Sequence, residues 1–345
     1  MTTDDLEYNT AGMRIGVLGL GRIGSSHATV LRQHPDVESL VLADAIASRA
    51  HEAAQRLGCE SVDAVDEVFT SGVDAVVIAT ATDAHADLIT TAVQAGLPTF
   101  CEKPVALDVT QSRRVLAEVE AAAVPVQIGF QRRFDHGYRT AKQALADGTI
   151  GDLHRVHLVT ADQEPPHPDY LPRSGGMYRD CHIHDFDILR WVTGREVVDV
   201  VALGSNRGAD FFRQADDVDN TAALLTLDDG TLVTLQGSRY NGGGHDVRME
   251  LAGTKATYAV GLDARTPLVS AEDGATLPAG DPWPNFWVRF TPAYLAEVNA
   301  FIEVAKGTTP SPCTVDEALA ALSIAEAADL SRREGRRVEV AEVSK

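Results

Sequence analysis

The sequence predicts an α/β fold in two parts: a parallel sheet covered by helices, then an α+β domain with a large, mostly antiparallel open sheet. Three observations support this prediction. From Arg14 onward, short apolar runs alternate with helix-like segments. A Gly-x-Gly-x-x-Gly run follows the first apolar run. After about Arg133, strand-like runs follow one another without helices between them. Alternating strands and helices are typical of parallel sheets, whereas successive strands are typical of antiparallel ones.

The first half of the chain has a strand–helix rhythm. In order, the sequence predicts RIGVLGLG, a helix near 22–33, SLVLADA, a helix near 48–57, DAVVIAT at 74–80, a helix ending at Gly96, PTFCEKP at 98–104, a helix near 110–121 and VPVQIGF at 125–130. These strands are rich in Val, Ile and Ala and lack polar alternation, so we expect both faces of the sheet to be buried beneath helices.

The second half reads as an antiparallel sheet with added helices. The strand-like runs are LHRVHLVTA, EVVDVVALGS, TAALLTL, GTLVTLQGSRY and DVRMELAGT. Asp229-Gly230 is a hairpin signal between two of them. A Pro-rich loop at 164–172, a helix-like segment from about Asp180 to Val192, and late helices near 292–306 and 315–334 complete the domain.

Length and charge narrow the function. The 345 residues suggest two domains, predicted as 13–133 and 134–345 after a loose tail at 1–12. Fifty acidic against thirty basic residues give a formal charge of -20, which argues against nucleic-acid and membrane partners. No apolar run approaches the roughly 20 residues of a membrane span. The four cysteines are far apart and the N-terminus lacks signal-peptide features, so we expect a reduced, cytoplasmic protein.

The glycine run predicts a dinucleotide site. Gly19, Gly21 and Gly24 follow a strand and open a helix, where glycines permit a tight turn and close approach of a pyrophosphate. Asp44 follows at the end of the next strand, about 20 residues on, where a carboxylate can bind ribose hydroxyls. Asp is also common as a turn residue after strands. A carboxylate there favours NAD over NADP, and nearby Arg49 softens that preference.

Two further clusters carry ionisable groups. Lys103 ends a buried strand at the sheet edge where α/β proteins bind ligands, although many such lysines simply face solvent. In the segment around His182, a helix would place Asp180 and His184 four residues apart on one face, so that the carboxylate could orient the imidazole. A metal site is a weaker alternative, because His182 and His184 point to different sides of a helix. A helix with solvated histidines is the remaining alternative.

Taken together, these motifs resemble the glucose-fructose oxidoreductase/inositol dehydrogenase (Gfo/Idh/MocA) family over nearly the whole chain. The resemblance rests on the glycine fingerprint, on Glu102-Lys103-Pro104, and on Gly175-Gly176 followed by Asp180-x-x-x-His184-Asp185. The inositol 2-dehydrogenase branch is the most similar. The segments that carry this finer likeness are Asp162 with Pro165-Pro166 and Tyr170, Ser174 to Asp187, Gly129-Phe130 with Arg132 to Asp135, and Phe290 to Glu297.

The resemblance implies roles for individual residues. Lys103, Asp180 and His184 match the family's catalytic trio. The cofactor-binding residues are predicted to be Gly19, Gly21, Arg22, Ile23, Gly24, Asp44, Arg49, Thr80, Thr82, His85, Glu102 and Lys103. The substrate-binding residues are predicted to be Gln131, Arg132, Asp162, Cys181, His182 and Tyr240, and no metal is expected. Three departures bear on substrate identity: His182 stands where Thr is frequent, Gln131 replaces a usual Met, and Thr160 to Gln163 replaces a Cys-x-His-Arg-Asn pattern.

The predicted activity is NAD-dependent oxidation of a ring secondary alcohol of a cyclic polyol to the ketone, with NADP as the alternative cofactor. His184 is the expected general base, Asp180 orients it or binds a hydroxyl, and Lys103 stabilises the developing alkoxide. The alternatives are a dehydrogenase for another sugar or pyranose, and a cofactor-binding protein without turnover. The open sheet face of the second domain predicts a homo-oligomer, a tetramer in similar proteins.

Overall fold

The structure, a computed structural model, describes residues 12–275 and 280–344. The predicted tail at 1–12 therefore lies outside the described residues, apart from Gly12. The chain divides into two compact units. The first contains residues 12–106 of the described chain, Arg114–Gly129 and Val298–Val315, and the second contains Leu107–Arg113, Phe130–Glu297 and 316–344.

The first unit is built on a six-stranded sheet, and every pair of neighbouring strands in it is parallel. Its strands are β1 (Met13–Leu18), β2 (Val37–Ala43), β3 (Glu60–Ser61), β4 (Ala75–Ile78), β5 (Thr99–Glu102) and β6 (Val126–Gly129). Its helices are α1 (Arg22–Gln33), α2 (Ala47–Leu57), α3 (His85–Gln94) and α4 (Val109–Ala122, whose first residues belong to the second unit). The strand order is β3-β2-β1-β4-β5-β6. The order reverses between β1 and β4, and the carboxyl ends of strands at such a switch point form a ligand crevice.

The core of this unit explains why its strands are continuous runs of apolar residues in the sequence. Ile15, Val17 and Val77 on the central strands are almost completely buried, as is Phe100 on β5. The predicted doubly covered parallel sheet is confirmed. Residues 298–315 also belong to this unit, since Val298, Phe301 and Ile302 pack into the same core. The predicted boundary at 133/134 assigned residues 298–315 to the second domain, whereas the chain returns to the first unit there.

The second unit contains a seven-stranded sheet. Its elements are α5 (His136–Ala146), β7 (Leu153–Ala161), α6 (Leu171–Ser174), α7 (Met177–Asp180), α8 (Ile183–Thr193), β8 (Val197–Ser205), α9 (Phe211–Gln214), β9 (Asn220–Leu227), β10 (Leu232–Ser238), β11 (Asp246–Gly253), β12 (Thr257–Val260), α10 (Phe286–Ala305, shared with the first unit), α11 (Val315–Glu334), β13 (Val338–Glu339) and α12 (Val340–Val343). The strand order is β12-β11-β7-β10-β9-β8-β13. Within this second sheet, β7–β10 is the only parallel pair among the described strands, so the predicted mostly antiparallel sheet is confirmed.

This sheet has one buried and one exposed face. Along β9, Ala223 and Leu225 are buried while Ala222 and Leu224 are exposed, and β10 alternates in the same way. The predicted hairpin is present: Gly230 lies between β9 and β10 with φ of +87°, a conformation that favours glycine. In the part of the chain that the structure describes, no helix is long and apolar enough to cross a membrane.

Two predictions of local structure were wrong. The first concerns α5, which occupies a stretch where no helix was predicted. Asp135 caps it by accepting hydrogen bonds from the backbone N–H groups of Gly137 (3.0 Å) and Tyr138 (3.4 Å). The second concerns the segment predicted as one helix from Asp180 to Val192. It is interrupted after Asp180, and α8 begins only at Ile183.

Candidate active site

The glycine fingerprint forms the turn between β1 and α1, and each glycine meets a different constraint. Gly19 has φ of +90°, and a Cβ there would lie 2.6 Å from the carbonyl oxygen of Ala79. A Cβ on Gly24 would lie 1.9 Å from the carbonyl oxygen of Gly19, so α1 packs directly on the turn. A Cβ on Gly21, the residue before α1, would meet no atom within 4 Å. The space beside the helix N-terminus is therefore open where a pyrophosphate would bind.

Asp44 follows β2 and holds the fingerprint turn. Its Oδ2 accepts a hydrogen bond from the backbone N–H of Leu20 (2.6 Å), and its Oδ1 accepts one from Ile46 (2.9 Å). The carboxylate thus acts as a turn residue as well as standing at the expected ribose position. Arg49 lies 3.8 Å from Oδ1 and is largely exposed, which is consistent with a cation close enough to moderate the carboxylate's charge.

The carboxyl ends of β4 and β5 are tied together by His85. Its Nδ1 lies 2.7 Å from the carbonyl oxygen of Pro104, and its Nε2 lies 3.2 Å from that of Thr80. Burial lowers the pKa of His85, although both carbonyls oppose this effect. We therefore assign a neutral ring with its proton on Nδ1, at the shorter contact. His85 braces the segment that carries Lys103, while Thr80 and Thr82 are partly buried at this edge.

Glu102, next to the partly buried Lys103, is fixed by a residue that the sequence patterns did not single out. His27 of α1 places its Nε2 2.7 Å from Oε1 of Glu102, and its ring packs edge-on against Phe100. Of the remaining predicted cofactor residues, Arg22 is exposed and Ile23 is partly buried at the start of α1. The first unit thus carries all the predicted cofactor residues.

In the second unit, Asp180 lies at the end of α7 and is held from two sides. Its Oδ1 accepts a hydrogen bond from the Tyr170 hydroxyl (2.8 Å), and its Oδ2 accepts one from Nη2 of Arg239 (2.6 Å). His184 is the second residue of α8 and packs edge-on against the Phe130 ring, with centroids 5.7 Å apart. Because the helix is interrupted between them, the i, i+4 spacing of a continuous helix does not apply to Asp180 and His184.

The predicted substrate residues fall into two groups. Asp162 and Cys181 lie near Arg239: Oδ2 of Asp162 is 3.1 Å from Nη1 of Arg239 and 3.9 Å from Sγ of Cys181. Tyr240 makes a different contact: its hydroxyl accepts a hydrogen bond from the backbone N–H of Ala209 (3.2 Å).

The second group, Gln131, Arg132 and His182, is buried. Arg132 donates to Oδ1 of Asp185, and His182 donates from Nδ1 to Oδ2 of the same carboxylate (2.7 Å). The other ring nitrogen of His182 lies 2.7 Å from Oγ1 of Thr221. With the hydrogen bond that the Thr160 hydroxyl of β7 donates to Asp185 (2.8 Å), these contacts hold the start of α8 against β7 and β9.

Arg239 is the main site residue that the sequence patterns did not single out. It lies near the end of the predicted strand-like run GTLVTLQGSRY and directly follows the observed strand β10, and a lone basic residue at a strand's carboxyl end was the available signal. Among the described residues, no group of three or more His, Cys, Asp or Glu side chains is arranged to hold a metal ion.

Comparison with known proteins identifies the family to which both parts of the chain belong. Residues 13–130 match the oxidoreductase family with an NAD-binding Rossmann fold, and residues 138–259 match the GFO/IDH/MocA C-terminal domain. The chain is 36% identical to inositol 2-dehydrogenase from Rhizobium meliloti, covering 95% of this chain and 99% of that one. It is 34% identical to myo-inositol 2-dehydrogenase from Thermotoga maritima, covering 96% and 99%.

A solved structure extends the likeness to three dimensions. Scyllo-inositol dehydrogenase from Lactobacillus casei, crystallised with NAD(H) and scyllo-inositol, superposes with a TM-score of 0.87 at 29% identity, covering 96% of this chain and 99% of that one. The predicted fold and the NAD-dependent dehydrogenase class are confirmed. The chain belongs to the GFO/IDH/MocA family of oxidoreductases, with an NAD-binding Rossmann domain at residues 13–130.

Proposed function

We propose that the protein oxidises a ring secondary alcohol of an inositol to the ketone, as an NAD-dependent inositol 2-dehydrogenase. The observation that carries the substrate class is the likeness, over nearly the full length of both chains, to inositol 2-dehydrogenase. Lys103, Asp180 and His184 stand at the three positions where the family motif places its catalytic residues.

The first unit fits the cofactor. Gly21 leaves open space at the N-terminus of α1, where backbone N–H groups and the helix dipole favour a phosphate. Asp44 stands at the end of β2, where it would bind the adenosine ribose and repel a 2′-phosphate. When bound, NAD supplies the hydride acceptor for the alcohol carbon.

The chain's own residues manage the proton and the charge. As the carbinol C–H bond breaks with its electron pair, the hydroxyl O–H bond must also break to leave the ketone. His184 takes this proton as general base, since histidine titrates near neutral pH. Asp180 accepts a hydrogen bond from the reacting or a neighbouring hydroxyl, and Lys103 stabilises the developing negative charge on oxygen. Gln131, Arg132, Asp162, Cys181, His182 and Tyr240 remain the proposed substrate-binding residues.

We also propose a homotetramer. Leu203, Leu224 and Leu232 lie on the exposed face of three neighbouring strands, and each is about 60% exposed (64%, 59% and 62%). Contiguous exposed apolar surface on a sheet is typical of protein interfaces. We propose a reduced, cytoplasmic location because none of the four described cysteines, Cys59, Cys101, Cys181 and Cys313, is in a disulfide bond.

A panel of purified-enzyme assays tests the activity. Myo-inositol, scyllo-inositol and representative aldoses are each incubated with NAD and with NADP, and reduced cofactor is followed by absorbance. We expect the highest kcat/KM with an inositol and NAD. Preference for an aldose would contradict the substrate class, and NAD binding without turnover of any compound would favour a protein that has lost catalysis.

A further inference from the structure

The buried guanidinium of Arg239 joins two carboxylates of the second unit. Arg239 is 4% exposed. Its Nη2 lies 2.6 Å from Oδ2 of Asp180, and its Nη1 lies 3.1 Å from Oδ2 of Asp162. A planar guanidinium presents its donors in a fixed fork, so binding two carboxylates fixes the orientation of each relative to the other.

The sheet itself places these residues together. Strands β7 and β10 are parallel, with Ala161 paired to Ser238 at their carboxyl ends. Asp162 and Arg239 are the next residues of the two strands and therefore emerge side by side. The backbone N–H of Asp162 donates to the carbonyl of Ser238 (2.9 Å), and that of Arg239 donates to the carbonyl of Asp219 (2.8 Å). Arg239 thus stands on rigid sheet structure, whereas Asp180 ends a four-residue helix.

Each carboxylate has a second partner, so the cluster extends beyond the shared cation. Tyr170 donates to the other oxygen of Asp180 (2.8 Å), and Nδ1 of His245 lies 3.2 Å from the other oxygen of Asp162. Burial raises the pKa of Asp162, but His245 and Arg239 outweigh burial and lower it. The Asp162 carboxylate can therefore stay ionised beside the cation that it shares with Asp180.

We propose that Arg239 is a positioning residue for the reaction: anchored by Asp162, it holds Asp180 ionised and in one orientation toward the substrate hydroxyls. Its effect on turnover depends on the proposed role of Asp180. Asp162 then acts through Arg239, in addition to any contact of its own with substrate.

The charge balance explains what loss of Arg239 would do. Asp162, Asp180 and the nearby Asp217 are acidic, and burial raises the pKa of Asp217. The facing titratable groups are Tyr170, Cys181 and His245. Without the guanidinium, two partly buried carboxylates would lose their shared cation, and the pair would bind a proton at higher pH. A protonated Asp180 would donate a hydrogen bond instead of accepting one.

The test compares Arg239→Met, Arg239→Lys and Asp162→Asn with wild type, using Arg190→Met as the matched control. Arg190 is partly buried and pairs with the exposed carboxylate of Glu196 (2.6 Å), not with Asp180 or Asp162. We expect Arg239→Met to lower kcat by about 10²-fold and to move the acid limb of the pH profile upward by about one pH unit. Arg239→Lys should restore part of kcat and return the acid limb toward wild type. Asp162→Asn should lower kcat more than it raises KM, and Arg190→Met should change neither.

Two further measurements separate positioning from a merely structural role. In an Asp180→Asn background, Arg239→Lys should cost nothing more in kcat, because residues that act through one another are not additive. Infrared titration without substrate should show a protonated carboxyl at higher pH in Arg239→Met than in wild type. If Arg239→Met does not fold, Arg239→Lys and Asp162→Asn carry the kinetic comparison. A wild-type pH profile in all three variants, or full additivity with Asp180→Asn, would overturn the proposal.

Failure of the proposed function gives a different pattern. If wild type oxidises no inositol, the activity is wrong, while the infrared titration still decides whether Arg239 keeps the carboxylates ionised. If wild type is active and neither the titration nor the pH profile responds to Arg239, the positioning role is wrong and the activity stands.

Discussion

Nδ1 of His182 lies 2.7 Å from Oδ2 of Asp185, and both side chains are completely buried. The other oxygen of Asp185 accepts hydrogen bonds from Arg132 and from the Thr160 hydroxyl (2.8 Å). Three donors from three separate parts of the chain, Arg132 after β6, Thr160 on β7 and His182 just before α8, therefore converge on one carboxylate. A buried charge satisfied in this way specifies the position of the helix that carries His184.

Asp185→Asn should destabilise the protein and change its acid sensitivity. Burial alone would raise the pKa of Asp185, but Arg132, His182 and Thr160 lower it to about 2. Because the folded pKa lies below the usual value, this carboxylate stabilises the fold above about pH 4, and its contribution is lost as the pH falls toward 2. Removing the charge from the buried pair should cost about 3 kcal/mol at neutral pH.

Urea midpoints measured between pH 3 and pH 7 check this prediction. The difference between wild type and Asp185→Asn should shrink as the pH falls. Asp66→Asn is the control, because that carboxylate is exposed. A constant difference at all pH values would mean that the charge of Asp185 does not stabilise the fold.

The glycine fingerprint gives a matched pair of variants. Gly24→Ala places a Cβ 1.9 Å from a backbone oxygen, so it should lower the thermal midpoint and weaken NAD binding together. Gly21→Ala places its Cβ in open space, so the fold should be unchanged while NAD affinity falls at least tenfold, about 1.4 kcal/mol. Thermal unfolding and calorimetric NAD titration measure both effects. Wild-type NAD affinity in Gly21→Ala would show that the pyrophosphate does not approach this residue.

Much of the first unit could be predicted from the sequence because its strands are buried on both faces. Predicted and observed limits of the helix at 22–33 coincide, and β4 and β5 differ from their predicted runs only at the ends. The missed helix α5 shows a limit of this approach. Its capping residue Asp135 was visible, but its buried face is only Tyr138, Ala141 and Ala144, which makes a weak apolar pattern.

The site was less predictable because its contacts depend on strand register. Nothing local in the sequence pairs β10 with β7 in parallel, yet this pairing brings Arg239 next to Asp162. The buried position of Arg132 likewise depends on Asp185, more than 50 residues away. Local motifs identified the residue types of the site, while the long-range pairing determined which of them bind each other.

Cofactor preference should depend on Asp44. The Asp44→Asn variant removes the negative charge but keeps a carbonyl acceptor for one of the two backbone donors. It should lower the ratio of kcat/KM with NAD to kcat/KM with NADP. Arg49→Ala should widen the ratio, since it removes a cation 3.8 Å from the carboxylate. Steady-state kinetics with both cofactors measure these ratios. A wild-type enzyme with higher kcat/KM for NADP would show that Asp44 does not exclude the 2′-phosphate.

The exposed sheet face should form the oligomer interface. Leu224→Glu would place a charge at the centre of the apolar face, so the proposed tetramer should dissociate into smaller species. Val269→Glu is the control, because Val269 is 86% exposed and lies outside the strands. Sedimentation velocity at micromolar concentration checks both variants. A monomeric wild type would refute the tetramer, and an intact Leu224→Glu tetramer would place the interface elsewhere.

His184 and Lys103 should act on the reacting hydroxyl and not on cofactor affinity alone. His184→Ala should lower kcat by roughly 10²- to 10⁴-fold while NAD still binds, because a positioned general base contributes about this much. Lys103→Ala should be at least as damaging, since it removes the cation that stabilises the developing alkoxide. The rate of alcohol oxidation should rise with pH through the range where a histidine titrates, and this limb should vanish in His184→Ala.

Steady-state kinetics over a range of pH, with NAD binding measured separately, distinguish these effects from a loss of folding. His51→Ala is a suitable control, because His51 is exposed and pairs with Asp63 (2.9 Å) in the first unit. It should keep the wild-type profile. Near-wild-type turnover in either His184→Ala or Lys103→Ala would refute the catalytic trio, because neither a general base nor an alkoxide-stabilising cation can be removed without slowing the reaction.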